Sequence, residues 1–280
     1  MQTNLLIACW PALTRTAILV EDTTYYLKKQ VEHLEKYEHD LSQITFVVSD
    51  CNQETKDYTN FLKNLPTKIQ GAVVKIHRKP NYGWSYGSYS AAYDAYRNFD
   101  YYILLEDDYV VCTDHFDEKM IYMMMQYPKC GYMCSVKYKV NSEWCSSSIS
   151  NGITSETALN AVWNKFGCIP HGSVEHGITE GYGKICLQNG ERVHHQADFA
   201  RSFIEAGYDL EDMTDNYVFP FHTVVDGQQQ IWISVRNESF LDFKYIIVPV
   251  QFTEPAHKRK FLLFESTNAM SEPKPVPKLL

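Results

Sequence analysis

Three acidic residues in a row, Glu106-Asp107-Asp108, follow directly on the apolar run Tyr101-Tyr102-Ile103-Leu104-Leu105. Buried strands do not ordinarily end this way, since adjacent like charges repel and ionised carboxylates are seldom buried unpaired. A divalent cation held by carboxylate oxygens resolves the conflict. The carboxyl end of a strand in an open α/β sheet is also where such folds bind ligands. The plainer alternative is an acidic turn that caps the next helix. Two other polar residues follow β-branched runs in the same manner: Asp50 after Ile44–Val48 and Asn81 after Val73–Ile76. The segment Asn81-Tyr82-Gly83-Trp84-Ser85-Tyr86-Gly87 then opens an Ala-containing helix. Its glycines permit close backbone approach, and a helix N-terminus favours an anion.

These residues need strands and helices to bring them to one edge, and the chain supplies the alternation. Short apolar strands are expected at Leu5–Ala8, Ile44–Val48, Val73–Ile76 and from Tyr101. Helices are expected over Tyr25–Tyr37, with Leu27, Val31 and Leu34 at helical spacing, and over Asp57–Leu65, stopped by Pro66. A third helix carries Tyr89, Ala92, Tyr93 and Tyr96 on one face. This β-α-β-α-β-α-β order predicts an α/β fold with a mostly parallel sheet, right-handed crossovers and helices on both faces. Asp50, Asn81 and the acidic triplet then converge on one edge. Beyond Val111 the pattern predicts a Met-rich helix at Met120–Met125, a strand at Tyr132–Val136, a polar stretch over Asn141–Thr154 and a helix with Leu159, Val162, Trp163 and Phe166. A Gly- and His-rich loop is expected over Gly167–Gly190, then a helix from near Asp198 to the C-cap signature Ala206-Gly207-Tyr208. A late strand, Tyr245–Phe252, precedes a Pro-rich tail. The division expected is 1–112 as a ligand-binding half, 113–254 as a second half of the same domain, and 255–280 as the tail.

At 280 residues with 45% hydrophobic and 21% charged content, the chain has the composition of a globular protein able to bury a sizeable core. A net charge of -8 argues against binding a nucleic-acid backbone, though not against one small phosphorylated ligand. The 20 tyrosines suit both sugar stacking and ordinary half-buried packing. Eight cysteines are scattered, with no pair of C-x-x-C motifs, which speaks against a structural zinc site and for free thiols. The first ten residues have no basic n-region and read as a strand, and no run approaches the ~20 apolar residues of a membrane span. A cytoplasmic enzyme is the expectation.

With those residues in view, the chain resembles metal-dependent glycosyltransferases of the GT-A fold, a Rossmann-like sheet with a smaller acceptor-side subregion. The resemblance spans roughly residues 3–115 and, more loosely, 150–210. In that family a strand ends in a D-x-D-type motif whose last carboxylate binds the metal. Glu106-Asp107-Asp108 occupies that place and looks like the E-D-D form of N-acetylglucosaminyltransferase I-like enzymes, where the turn also leads into a D-x-F segment, here Asp114-His115-Phe116. The first member is Glu106 rather than Asp, which leaves open whether Glu106 or Asp107 faces the ligand. Asn81 to Gly87 is similar to the N-x-G-x-x-x-G segment of family-two enzymes, which packs along the nucleotide.

The resemblance implies Mn²⁺ or Mg²⁺ on Asp108, and a nucleoside-diphosphate sugar bound by Pro11, Asp50, Asn81, Gly83, Ser85, Gly87, Glu106 and Asp107. It further implies a glycan or other hydroxyl acceptor, and a carboxylate base for an inverting transfer. The family's usual E-D pair falls on His195-Gln196, so Asp198 is the nearest substitute and Glu180 the runner-up. His194, His195 and His222 are candidates to complete a metal shell, against the commoner structural use of histidine. A sugar nucleotidyltransferase should carry a Gly-rich basic loop after the first strand, where this chain has Trp10-Pro11-Ala12-Leu13. A non-catalytic module of the same fold is the other alternative. A calcium loop of D-x-[DN]-x-[DN]-G form is absent after Asp107.

Overall fold

The computed structural model describes residues 1–12, 14–15, 18–19, 22–111, 113–134, 137–140, 143–146, 151–171, 194–213, 221–225, 229–234 and 246–248. Its first half alternates as the sequence predicts. Strand β1 (Thr3–Cys9) is followed by a small hairpin, β2 (Thr14–Arg15) and β3 (Ile18–Leu19), and by helix α1 (Tyr25–Lys36). Then come β4 (Gln43–Ser49), α2 (Lys56–Lys63), β5 (Lys68–Ile69), β6 (Ala72–Lys79), α3 (Trp84–Ala95), β7 (Tyr101–Glu106) and β8 (Tyr109–Val111). The second half holds α4 (Phe116–Met125), β9 (Cys130–Cys134), β10 (Lys137–Val140), β11 (Glu143–Ser146), β12 (Gly152–Ser155) and α5 (Glu156–Phe166). It continues with α6 (His194–Glu205), β13 (Asp209–Asp212), β14 (Phe221–Val225), β15 (Gln229–Ser234) and β16 (Ile246–Val248).

Eight strands form one mostly parallel sheet in the order β13-β9-β12-β7-β1-β4-β6-β5. Its heart, β6-β4-β1-β7, is parallel throughout. Within it, β1, β4 and β7 are buried on both faces, which is why they read as nearly unbroken apolar runs. Leu5 and Ile7 of β1 join Ile103 and Leu105 of β7 in one core layer, beneath Leu27 and Leu34 of α1 and Tyr58 of α2. Leu6, Ala8, Tyr102 and Leu104 face the other layer with Tyr89 and Tyr93 of α3, Leu159 of α5, and Phe199 and Phe203 of α6. The tyrosines of α3 are therefore packing residues. A second, antiparallel sheet runs β16-β15-β14-β8. Because β7 belongs to the first sheet and β8 to the second, the turn Asp107-Asp108 stands at their junction.

Several boundaries moved. β6 continues past Ile76 through His77, Arg78 and Lys79, a charged end that periodicity alone reads as loop. Short β5 pairs only with Ala72 and Val73, leaving the rest of β6 as an edge where Lys75 and Arg78 stay solvated. The Met-rich helix begins earlier, at Phe116, and the strand expected at Tyr132–Val136 is Cys130–Cys134. The polar stretch Asn141–Thr154 is not loop throughout: β12 is an interior strand, antiparallel to both β7 and β9. Gly152 is needed there, since an added Cβ would lie 2.6 Å from the Tyr132 ring. Thr154 stays buried by donating its hydroxyl to the Gly131 carbonyl at 2.6 Å. Helix α6 starts at His194, four residues before Asp198, so Asp198 is a helix-interior residue and not an N-cap. The C-cap expectation holds: Gly207 has φ +93° and the Tyr208 N–H donates to the Phe203 carbonyl at 3.0 Å. Of the expected late strand, Ile246–Val248 is described and is a strand; its remaining residues, the Pro-rich tail and residues 172–190 lie outside the described residues. Among the described residues, no helix is long and apolar enough to cross a membrane, and Cys9, Cys51, Cys130, Cys134 and Cys168 are free thiols.

Candidate active site

The chain leaves β1 toward β4 and β6 on one side, and returns to the other side of β1 as β7. That reversal creates a crevice outside the carboxyl ends of β1 and β7, the place where open α/β sheets take ligands. Four segments reach this edge: Trp10-Pro11 after β1, Asp50 after β4, Lys79 to Ser85 after β6, and Glu106 to Asp108 after β7.

The acidic triplet is divided by its hydrogen bonds. Asp107 is 3% exposed and turned inward. Its Oδ2 accepts the Trp10 backbone N–H at 2.9 Å, and its own N–H donates to the Ala8 carbonyl at 3.0 Å. Both bonds tie the turn to the end of β1. Glu106 and Asp108 remain half-buried at the rim. The Glu106 Oε1 accepts a hydrogen bond from the Ser85 hydroxyl, and its N–H donates to the Asn151 Oδ1 at 2.9 Å. Of the three carboxylates, Asp107 thus serves the turn's own geometry, an assignment no spacing argument makes.

Gln30 of α1 is a residue that the sequence reading missed. Fully buried, its Nε2 donates to the Asp107 carbonyl at 2.9 Å and to the Tyr109 carbonyl. It thereby gives a buried donor to two carbonyls where β7 passes into β8. The signal was present: Gln30 lies between Leu27 and Leu34 on the apolar stripe of α1, where an amide needs a reason. Asn151 is the second such residue, fully buried within the polar stretch Asn141–Thr154.

On the β6 side, Gly83 has φ +65° and Trp84 φ +52°, two successive left-handed residues at the head of α3. The glycines do allow close approach, but to protein groups. A Cβ on Gly83 would sit 2.5 Å from His171 Nδ1, and one on Gly87 would overlap the Tyr82 carbonyl, whose carbon would be 3.0 Å away. Their space is filled by the chain itself. His171 was not anticipated; it is 2% exposed and its ring lies 5.3 Å from that of Tyr82. Trp84, by contrast, is 68% exposed at the rim. Lys79 is 3% exposed, and burial pushes its ammonium down to about 8 against the opposing pull of Asp50.

The other expected residues fall as follows. Asp50 and Asn81 are exposed at the edge, and Pro11 is buried. The Asp50 loop is anchored because Arg78 grips Glu54 through two bonds, at 2.9 and 2.7 Å. Asp198 is fully buried in α6 among Phe199 and its neighbours. Glu180 lies outside the described residues. The backbone of His222 pairs with Val110, two residues from Asp108, while His194 and His195 begin α6.

Among the described residues, no group of three His, Cys, Asp or Glu side chains forms a metal cage. A nucleotide-bound Mg²⁺-type ion does not require one, since one or two carboxylates plus substrate phosphates suffice. The half-buried Asp108, with Glu106 on the same rim, fits that open donor set. Asp107, engaged with Trp10, fits it poorly.

No protein-family model matches this chain, and no curated protein does. Among solved structures it is similar to S. aureus TarS, with a TM-score of 0.48 and 11% identity over 81% of this chain and 37% of that one. For TarS 1–349 in complex with UDP the values are 0.47 and 10%, over 77% of this chain and 59% of that one. The glycosyltransferase GlyE of Streptococcus pneumoniae TIGR4 gives 0.44 and 10%, covering 76% and 45%. A 4-diphosphocytidyl-2C-methyl-D-erythritol synthase from Anaerococcus prevotii gives 0.44 and 9%, covering 75% and 86%. The chain thus spans less than two thirds of TarS and GlyE, and at such scores function rests on the site alone.

Proposed function

We propose that this protein is a glycosyltransferase that moves a sugar from a nucleoside-diphosphate donor to a hydroxyl of a glycan or other acceptor, with Mn²⁺ or Mg²⁺ as cofactor. One observation carries the reading: an acidic turn stands at the switch point of a mostly parallel sheet, with Asp107 buried in it and Glu106 and Asp108 half-buried at the rim. Asp108 would hold the cation together with the donor's phosphates, and Glu106, which accepts a hydrogen bond from Ser85, would add a second carboxylate beside it. When bound, the metal neutralises the charge that grows on the departing nucleoside diphosphate. Asp50 and Asn81 offer polar groups to the nucleotide from the neighbouring strand ends, beside Pro11 and the turn built on Gly83 and Gly87. The buried Lys79 and its turn keep that side of the crevice in shape.

Transfer with inversion needs one base to take the proton of the attacking hydroxyl. Asp198 and Glu180 are the carboxylates proposed for it. Asp198 is enclosed in this structure, so an acceptor reaches it only when its cover moves. Asp198→Asn is expected to lower transfer about a hundredfold or more while donor affinity stays within about twofold. A folded Asp198→Asn variant with normal turnover removes Asp198 from that role, and Glu180→Gln then tests the runner-up.

Thermal denaturation with UDP and GDP, each with and without Mn²⁺, tests the reading. One nucleotide at about 100 times its Kd is expected to stabilise the fold by about 2.7 kcal/mol, only with metal present. A melting temperature unmoved by either nucleotide would sink the proposal.

A further inference from the structure

We infer that Lys79 is a positioning residue of the candidate site: its ammonium fastens the turn Pro80–Ser85, and through it the Ser85 hydroxyl that holds Glu106. The inference deepens the reading above, since it concerns how the same site is kept in shape. A lysine with 3% exposure at the end of an edge strand is unusual, because that position offers solvent within one side-chain length. Here the side chain turns inward. Nζ donates to the Pro80 carbonyl at 2.9 Å and the Tyr82 carbonyl at 2.7 Å, and it stands 4.1 Å from the centre of the Tyr82 ring.

The turn that these bonds close is tightly constrained. The Tyr82 carbonyl bound by Lys79 is the group that fills the space a side chain on Gly87 would need. The Tyr82 ring is met by Lys79 and by His171, which itself packs on Gly83. Gly83 and Trp84 follow in left-handed conformations, and the Gly83 carbonyl accepts the Gly87 N–H at 2.7 Å to start α3. A non-glycine residue with positive φ carries strain that its surroundings must maintain, and such strain gathers at functional sites. Lys79 is the only charged group bonding the carbonyls of this turn among the described residues. The residue right after the strained pair is Ser85, bonded to Glu106.

The charge on Lys79 is what the two carbonyls need, and its loss should loosen the turn without unfolding the protein. With the ammonium depressed to about 8 by burial, the unfolded chain binds more protons than the folded one between that pH and the ordinary lysine range. Stability contributed by this group therefore rises with pH across that window, while the fastening of the turn falls. The two effects have opposite signs, which separates positioning from mere structural support. Other groups near the turn titrate elsewhere. Burial holds His77 below its usual value and holds Tyr82 and Cys168 above theirs. Asp50 at the end of β4 and Asp94 of α3 supply the nearby negative charge. His171 remains as the group to be controlled.

Trp84 is an exposed reporter inside the turn, and the chain has only 5 tryptophans. Protein labelled with 5-fluorotryptophan, its Trp84 resonance assigned with Trp84→Phe, would be titrated from pH 6 to 10 as wild type and as Lys79→Met. Affinity for UDP and GDP with Mn²⁺ would be measured alongside at pH 7 and pH 9. In the wild type the Trp84 resonance is expected to shift with a midpoint near 8, and the affinity to weaken about tenfold at the higher pH. In Lys79→Met the shift disappears, affinity is weak at both pH values, and the melting temperature at pH 7 equals or exceeds that of the wild type. A shift that persists in Lys79→Met arises from another group and overturns the assignment. So does a Lys79→Met variant with wild-type affinity at pH 7. If wild type binds neither nucleotide, the proposed function fails, and the Trp84 titration alone decides for or against Lys79.

Discussion

Asp108→Ala is expected to abolish sugar transfer, with turnover reduced about a thousandfold or more, and to leave the fold nearly untouched. The activity loss follows from removing a group that acts on charge developing in the transition state, where a single contact is worth about 10²–10³ in rate and a metal site more. The structural effect is expected to be modest because Asp108 is only half-buried in a turn, and typical point substitutions cost about 1 kcal/mol. Asp107→Ala should behave in the opposite sense. Its carboxylate receives the Trp10 N–H at 2.9 Å within a buried turn, so its loss leaves that donor unmatched at a cost of about 1–3 kcal/mol. Steady-state assays and thermal melts on both variants check the pair. Equal loss of stability in the two variants would contradict the division of labour within the triplet.

The second large effect is on stability. Gly87→Ala is expected to destabilise the fold by about 3 kcal/mol, the upper range for overpacking a well-filled core. In an ordinary helix interior the same change stabilises by about 0.5–1 kcal/mol. Here the sign reverses because the space for a Cβ holds the Tyr82 carbonyl, which is backbone and fixed by Lys79. Relief therefore requires moving the whole turn. A urea titration at neutral pH measures it. A Gly87→Ala protein as stable as wild type, or more so, would show that the turn yields easily, and would also weaken the case that Lys79 holds it.

The parallel heart of the fold was legible because both faces of β1, β4 and β7 are buried and the strands run nearly unbroken in Leu, Ile, Val, Phe and Tyr. The convergence of Asp50, Asn81 and Glu106–Asp108 on one edge followed from that topology. What escaped was polar. β12 has Ile153 as its one large apolar residue, and its place inside the sheet depends on Gly152 yielding to Tyr132 and on Thr154 finding the Gly131 carbonyl. β13, Asp209–Asp212, carries three acidic residues and Leu210, so no alternation marked it.

In the site, the residue types were visible but their division was not. Spacing cannot tell that Asp107 serves Trp10 while Asp108 stays at the rim. Nor can it tell that the space beside Gly83 and Gly87 is filled by His171 and Tyr82. Those assignments depend on contacts between residues far apart in sequence, such as Gln30 with Asp107 and Ser85 with Glu106. Helix α6 was misplaced at its start because Asp198 has the chemistry of an N-cap, while the chain was already helical from His194.

The most direct test of the account is release of free nucleotide from a panel of UDP- and GDP-sugars, measured with Mn²⁺, with Mg²⁺ and with chelator. The expected result is turnover of at least one donor that requires the metal and vanishes in Asp108→Ala. Turnover that persists in Asp108→Ala would contradict the metal assignment, and absence of turnover with every donor and metal would contradict the proposed function itself.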